Sequence, residues 1–354
     1  MKINITKLIG KRNGKHSLIL AGDIGGTKTS LGFFELERGI FRSKKISSYP
    51  SEDYRDFKSV LKEFMKGHNA DLQGACFGIA GPINHGICRA TNLPWVVDQA
   101  VLKRILKIKK VSLINDMEAT ANGIQVLPKN AFVVLNSGNP EPKGNIAVLA
   151  AGTGLGEGML LWDGKRYRAV ASEGGHADFA PCNKIELDLC RYLFGKFGHT
   201  SYERVLSGPG LMNIYEFFKE KDVGQEPAWL KKELSQEDPG FVITQNARKG
   251  QNKLCEKTMD LFCAIYGAEA GNLALKFLAR GGVYLGGGIA PKILHKLQDG
   301  TFKKAFRYKG RFSKLLCRIP VHVILEEKTA LYGAAMYALQ FMNNKDYSQN
   351  SHHQ

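Results

Sequence analysis

Three times along this chain an apolar run of strand length ends in a cluster of glycines. SLILAG at 17–22 leads into Asp23-Ile24-Gly25-Gly26-Thr27, NIAVLA at 145–150 into Gly152-Thr153-Gly154-Leu155-Gly156, and GGVYL at 281–285 into Gly286-Gly287-Gly288. Without a Cβ, glycine lets the backbone turn tightly and lets its amides converge on a ligand's oxygens. Any one cluster alone reads as a tight hairpin turn. Three together, one preceded by an acid and two carrying a threonine hydroxyl, point to a phosphate cradle. The pattern G-x-x-x-x-G-K-[ST] is absent, and residues 152–158 space as G-x-G-x-G-x-G rather than G-x-G-x-x-G, so neither a P-loop nor a dinucleotide fingerprint is present.

Between the clusters the pattern is strands first, then strand and helix in alternation. SLILAG, LGFF (31–34) and the run from Ile40 to Ile46 predict three strands separated by glycine-rich turns. Phe57, Val60, Leu61, Phe64 and Met65 repeat at helical spacing, and ACFGIAG (75–81) returns to a buried strand. GICRATN (86–92), a helix from about Asp98, the strand VSLIN (111–115) and a helix from about Met117 follow. Residues 145–164 repeat the opening as strand, glycine turn and strand, which predicts two related halves. A helix-rich stretch spans 184–279, then VHVIL (321–325) leads to a last amphipathic helix ending near Phe341. No Pro/Ser-rich linker separates the halves, so a shared hinge is expected, with the last helix crossing back to the first half.

At 354 residues and 44% hydrophobic, the chain can bury about two cores. The longest charge-free run, 72–88, has 17 residues broken by four glycines and Pro82, too short and too interrupted for a membrane helix. Seven cysteines form no C-x-x-C pair and no signal-type apolar region opens the chain, so a reducing, cytoplasmic setting is expected. His176, Cys182 and Cys190 are too widely spaced to argue for zinc. The net charge of +17 is concentrated in residues 1–16, 103–110 and 303–318, which carry five, five and seven cations and no acid. Such stripes suit nucleic acid or an anionic surface, but equally nucleotide phosphates. Apolar residues inside KRILKIKK favour a solvated helix face.

Six further residues carry chemistry. Asp23 stands where a carboxylate holds Mg²⁺ through water beside a phosphate cradle, or where an Asp caps a turn. Asn115 and Asp116 end a strand and open a helix, and helix capping is the default reading of Asp116. SEGGHADF (172–179) sets Glu173 and His176 around a glycine pair, and SYERVLSGPG (201–210) sets Glu203 beside another glycine turn. A polyhydroxylated ligand needs several such acceptors, since each buried hydroxyl without a partner costs about 1–3 kcal/mol.

The strings GDIGGTK, LINDMEA, AAGTGLGEG, EGGHADFAP, ERVLSGPGL, GNLAL, GGVYLGGGIAP and KGRF, in this order, resemble the bacterial ATP-dependent glucokinase family of the hexokinase/actin-like superfamily. The resemblance runs from about residue 18 to the final helix. It implies an α/β fold of two ribonuclease-H-like (actin-like ATPase) domains, a small α/β one and a larger α+β one, around a cleft, and a homodimer. On this chain that gives a basic extension at 1–17, a small domain at 18–128 plus 327–354, and a large domain at 129–326. It implies transfer of the ATP γ-phosphoryl to the 6-hydroxyl of D-glucose for glycolysis. Asp116 would be the general base, with Asn92, Asn115, Glu173, His176 and Glu203 binding the sugar. Asp23, Ile24, Gly25, Gly26, Thr27 and Lys28 would face the β/γ-phosphates, with Mg²⁺ near Asp23. Gly152, Thr153, Gly154 and Gly156 would form the second phosphate face, and Gly286, Gly287 and Gly288 the adenosine side. Lys28 departs from the family's usual Asn, and DIGGTK is similar to the repressor/kinase (ROK) group of sugar kinases. That group's cysteine-rich zinc motif is missing after His176, and ERVLSGPGL agrees with the glucokinase group. The alternatives are a kinase for mannose, glucosamine or an N-acetyl sugar, and a sugar-sensing regulator whose basic stripes bind DNA.

Overall fold

The computed structural model describes residues 18–37, 40–68 and 71–343; the basic extension at 1–17 and the end of the chain from 344 lie outside the described residues. The described chain is mixed α/β, with three sheets, and divides into two compact units. The first comprises residues up to Ala131 with Arg168–Ala171 and the segment from Glu326; the second comprises Phe132–Tyr167 and Ser172–Leu325.

In the first unit, β1 (Leu18–Ile24), β2 (Lys28–Glu37), β3 (Ile40–Pro50), β4 (Leu72–Ile79) and β8 (Val111–Asn115) form a sheet in the order β3-β2-β1-β4-β8. β1, β2 and β3 pair antiparallel, while β4 and β8 run parallel to β1. Both faces are covered, which is why these strands read as nearly unbroken apolar runs. On one face Leu20, Ile24, Leu31 and Phe33 pack against Phe57, Val60, Leu61 and Phe64 of helix α1 (Phe57–Met65), the predicted helical stripe. On the other, Ile19, Ala21, Phe34 and Ile114 meet Leu331, Ala334, Ala335 and Leu339 of the C-terminal helix (Thr329–Asn343). Alternation along β1 thus feeds two cores, each buried large side chain contributing about 1.5–3 kcal/mol.

Three short strands, β5 (Ile83–Asn84), β6 (Ile87–Arg89) and β7 (Val96–Asp98), form a small antiparallel sheet that holds Asn92 at the β6–β7 connection. Helix α2 (Gln99–Leu106) opens on an Asp98 cap, and helix α3 (Asp116–Ile124) starts where β8 ends.

The strands β9 (Phe132–Asn136), β10 (Ile146–Ala151), β11 (Leu155–Trp162), β12 (Tyr167–Ser172), β13 (Gly282–Gly286) and β14 (Val321–Ile324), which belong to the second unit apart from residues 168–171 of β12, form a sheet in the order β12-β11-β10-β13-β14-β9. β10 is antiparallel to β11 and parallel to β13, repeating the β1–β2 and β1–β4 relations. Helices α4 (Lys184–Phe197), α5 (Gly208–Glu220), α6 (Ala228–Gln236) and α7 (Pro239–Arg248) lead to α8 (Lys253–Lys276). Sixteen of the 24 residues of α8 are buried, far more than one face, and one of the sixteen is Glu269. Four short helices, α9–α12, lie between Ile289 and Arg318. No helix among the described residues is long and apolar enough to cross a membrane.

Candidate active site

In the first unit the cradle is the β1–β2 hairpin. The Gly25 N–H donates to the Lys28 carbonyl at 3.1 Å, leaving Thr27 and Lys28 exposed. A Cβ on Gly26 would stand 2.9 Å from the Cβ of Asn92, so glycine is what lets the β6–β7 connection close against the turn. The hairpin rests on a residue the sequence analysis did not select. Ser51, fully buried after β3, donates its hydroxyl to the Gly25 carbonyl at 2.8 Å, lies 3.0 Å from the Thr29 hydroxyl, and donates its N–H to the Thr27 carbonyl at 3.0 Å. A serine just past a strand end, S-S-Y-P-S, is too common a string to single out.

Asp23 and Asp116 stand at the carboxyl ends of parallel-aligned β1 and β8. Burial, and secondarily the charge of Asp116, push the Asp23 carboxyl up to about 7, with Lys28 pulling in the other direction. The capping role that is the default for Asp116 belongs instead to Asn115. Its Oδ1 accepts the Met117 N–H at 2.8 Å, and Glu118 Oε2 accepts the Asn115 N–H at 3.1 Å, completing a capping box. Asp116 is the first residue inside the helix, its Oδ1 accepting the Met117 N–H at 2.9 Å. The helix N-terminus therefore presents an acid whose removal leaves the cap intact.

In the second unit the glycine loop between β10 and β11 is closed by three contacts. The Gly152 N–H donates to the Gly154 carbonyl at 2.9 Å, and the Gly208 N–H donates to the Gly152 carbonyl at 2.8 Å, which ties SGPG to this loop. The Leu155 N–H donates to Glu203 Oε2 at 2.9 Å. Parallel pairing of β10 with β13 sets Ala150 opposite Gly286, and Gly287, at φ +78°, passes within contact of the Ala151 carbonyl. The second and third glycine clusters thus lie side by side, with open space where Cβ atoms on Gly152 and Gly288 would stand.

Glu173 and His176 are exposed on a 3-10 turn, Gly174–His176, that follows β12. Residues 177–179 pair with 200–202 through the Tyr202 N–H to the Ala177 carbonyl and the Phe179 N–H to the Thr200 carbonyl, at 3.0 and 2.9 Å. This brings Glu203 Oε1 to 4.0 Å from His176 Nδ1. One carboxylate therefore touches the phosphate-type loop with one oxygen and the imidazole of the polyol-type cluster with the other. Beneath the turn lies a second residue the sequence analysis passed over. Glu157 of β11 is 2% exposed, its Oε1 has no hydrogen-bond partner, and burial together with the charge of Glu269 pushes its carboxyl up to about 7 against the pull of Lys276. Its signal was an acid inside the apolar strand LGEGMLLW.

The structure thus groups Asp23, the Gly25–Lys28 turn, Asn92, Asn115 and Asp116 on one unit, and Gly152–Gly156, Gly286–Gly288, Glu173, His176 and Glu203 on the other. Among the described residues there is no group of three or more His, Cys, Asp or Glu side chains suited to a metal ion.

The glucokinase family profile matches residues 20–341. A glucokinase of Nostoc sp. is 41% identical over 338 residues, covering 91% of this chain and 99% of that protein. The crystal structure of a glucokinase from an Antarctic psychrotroph superposes with a TM-score of 0.80 at 28% identity, over 92% of this chain and 99% of that one. A ROK-family glucokinase from Streptomyces griseus, solved with glucose and AMPPNP, shares the fold at a TM-score of 0.61 and 20% identity, over 92% of this chain and all of that one. Matched along nearly its whole folded length, this chain belongs to the glucokinase family.

Proposed function

We infer that this chain transfers the γ-phosphoryl of ATP to the 6-hydroxyl of D-glucose, with Asp116 as the general base. The observation that carries the residue assignment is the pair of acids at the ends of β1 and β8, where the helix N-cap is supplied by Asn115 rather than by Asp116. In the step we assign, the sugar O6–P bond forms as the bond from the γ-phosphorus to the β,γ-bridging oxygen breaks. The electron pair leaves with ADP, and the 6-hydroxyl proton passes to the Asp116 carboxylate. Phosphoryl transfer of this kind is governed by positioning and by donors to the phosphoryl oxygens, with one proton transfer left to a side chain. The amides and hydroxyls of Gly25–Lys28 and Gly152–Gly156 would supply those donors, Gly286–Gly288 the nucleoside side, and Asn92, Asn115, Glu173, His176 and Glu203 the sugar contacts.

Mg²⁺ fits this site. A half-buried carboxylate pushed up to about 7 beside a second acid is a place where a divalent cation relieves repulsion, and Mg²⁺ commonly binds through one carboxylate, water and substrate phosphates. Asp23 would hold it, and bound there it would neutralise charge building on the phosphates. The order β3-β2-β1-β4-β8 and its repeat in β12-β11-β10-β13-β14 support reading both sheets as ribonuclease-H-like. The family also supports a cytoplasmic, glycolytic, dimeric enzyme.

The test is ADP release from Mg-ATP with glucose, mannose, fructose, glucosamine and N-acetylmannosamine, beside Asp116→Ala. We expect preference for glucose and a kcat lowered by on the order of 10² to 10⁴ in the variant, with the fold retained. An unchanged kcat in Asp116→Ala removes the base assignment, and preference for another sugar reassigns Glu173, His176 and Glu203 to that substrate.

A further inference from the structure

The Glu173–His176 turn is shaped from below by β11. A Cβ on Gly174 would stand 2.0 Å from Glu157 Oε2, and one on Gly175 would stand 2.0 Å from the Leu155 carbonyl oxygen. The Ser172 hydroxyl links the same pieces, donating to the Glu157 carbonyl at 3.3 Å and accepting the Gly174 N–H at 3.2 Å. The Glu157 side chain is thus the floor on which the first glycine of the turn sits.

That floor is electrically unusual. Glu157 Oε1 is buried without a hydrogen-bond partner. From α8 the side chain meets the fields of Glu269, which is fully buried, and of Lys276. Glu269 is itself engaged: Asn272 Nδ2 donates to its Oε2 at 2.8 Å, and Lys276 Nζ lies 3.4 Å from its Oε1. Behind α8, Lys309 Nζ donates to Asn272 Oδ1 at 2.6 Å. The turn above brings Glu173 and His176, residues 202–204 bring Tyr202 and Glu203, and Ser172 closes β12. On β10 the partner of Glu157 is the apolar Leu149. A carboxylate here is a buried charge with another buried acid nearby, whereas an un-ionised carboxyl fills the same space without that penalty.

We propose that Glu157 is a positioning residue for the sugar: its un-ionised carboxyl packs under Gly174 and holds Glu173 and His176 in their binding arrangement, and ionisation loosens that arrangement. Glucose affinity therefore falls as the pH rises through neutrality, while groups on the first unit are untouched. The inference rests on the reading that the Glu173–His176 turn carries the sugar.

The experiment measures KM for glucose at saturating Mg-ATP from pH 6 to pH 8 in the wild type, Glu157→Gln and Glu173→Gln. Glu157→Gln keeps the shape and cannot ionise. Over this range a group titrating near 7 goes from about one-tenth to about nine-tenths ionised. We expect the wild-type KM for glucose to rise by about fivefold or more with pH, and Glu157→Gln to stay within about twofold of the wild-type value at pH 6. The pH profiles of kcat and of KM for ATP should coincide in the two proteins. Glu269→Gln, which removes the neighbouring charge, should move the midpoint of the wild-type rise to lower pH. This second variant tests the idea even where Glu157→Gln folds poorly. The same pH dependence in Glu157→Gln as in the wild type, a flat wild-type profile, or an unmoved midpoint in Glu269→Gln overturns the proposal. A Glu173→Gln enzyme with unaltered KM for glucose would instead overturn the sugar-turn reading itself.

Discussion

Asp23 and Asp116 are chemically alike and their surroundings separate them. Asp116 sits on the first turn of a helix, where the N-terminal dipole and amides favour an anion. Asp23 is half-buried at the end of a central strand and feels Asp116 as a like charge. A carboxyl whose folded-state value is raised keeps a proton that the unfolded chain has released. Its effect on stability is therefore absent below about 4, grows unfavourable as the pH rises to about 7, and is full above that. Asp23→Asn should raise Tm at pH 8 and should change it little near pH 4. The same substitution should abolish phosphoryl transfer, since it removes the carboxylate proposed to hold Mg²⁺. Thermal melts across pH, without nucleotide, check this; a Tm difference independent of pH would show that burial of Asp23 is not what sets its charge state. Stability withheld at one residue in this way is common where a site needs a charge that the fold alone would not keep.

At the scale of elements, the Glu173–His176 turn depends on two close approaches of different kinds. At Gly174 an added methyl meets a carboxylate oxygen on a side chain; at Gly175 it meets the backbone carbonyl of Leu155. Side chains yield and β11 does not, so Gly175→Ala should be the worse substitution. Overpacking of this kind costs about 1–3 kcal/mol, which, felt in full at the sugar contacts, corresponds to a KM for glucose raised by about fivefold to 150-fold. Shortening Glu157 to Ala should rescue much of the Gly174→Ala defect and none of the Gly175→Ala defect, a double-mutant comparison that reads the contact directly. Equal rescue of both would mean that the turn is not seated on Glu157. The strand, glycine, strand repeats were legible because they rest on local chemistry: an apolar run forms a strand, and a glycine allows the turn. The α1 stripe was legible for the same reason. Asn115 could not be told from Asp116 as the cap, because both residue types cap well and only the chain's exit from β8 decides which is outside the helix. Ser51, Glu157 and Glu269 were not legible as a group, because each owes its meaning to partners far along the chain. An acid in LGEGMLLW becomes informative only when the charge of Glu269, far along the chain on α8, is known to act on it.

For the whole molecule, the net charge of +17 is the property that the site residues leave unexplained. Of the two basic stripes within the described residues, the one at 103–110 is only in part the expected solvated helix face: α2 ends at Leu106 with Leu102 buried and Arg104 exposed, and the exposed Lys107, Lys109 and Lys110 lie past the helix end, Lys110 donating to the Met342 carbonyl. The stripe at 303–318 is partly spent inside the second unit, where Arg307 donates to Asn136 and Lys309 to Asn272. The excess sets up a positive field around the molecule. The two substrates respond to a field differently. Mg-ATP is an anion and glucose is neutral, so a positive field raises the encounter rate of one and not of the other. Raising ionic strength from about 0.01 M to about 0.15 M shortens the reach of that field from about 30 Å to about 8 Å. Over that range kcat/KM for Mg-ATP should fall by about threefold to tenfold, while kcat/KM for glucose, measured at saturating nucleotide, should change by less than about twofold. The measurement is made with two salts of different anions, so that competition by a particular ion for the phosphate loops is separated from screening. Equal sensitivity of both substrates would show that salt acts on the fold, and insensitivity of both would leave the charge excess without a part in nucleotide capture.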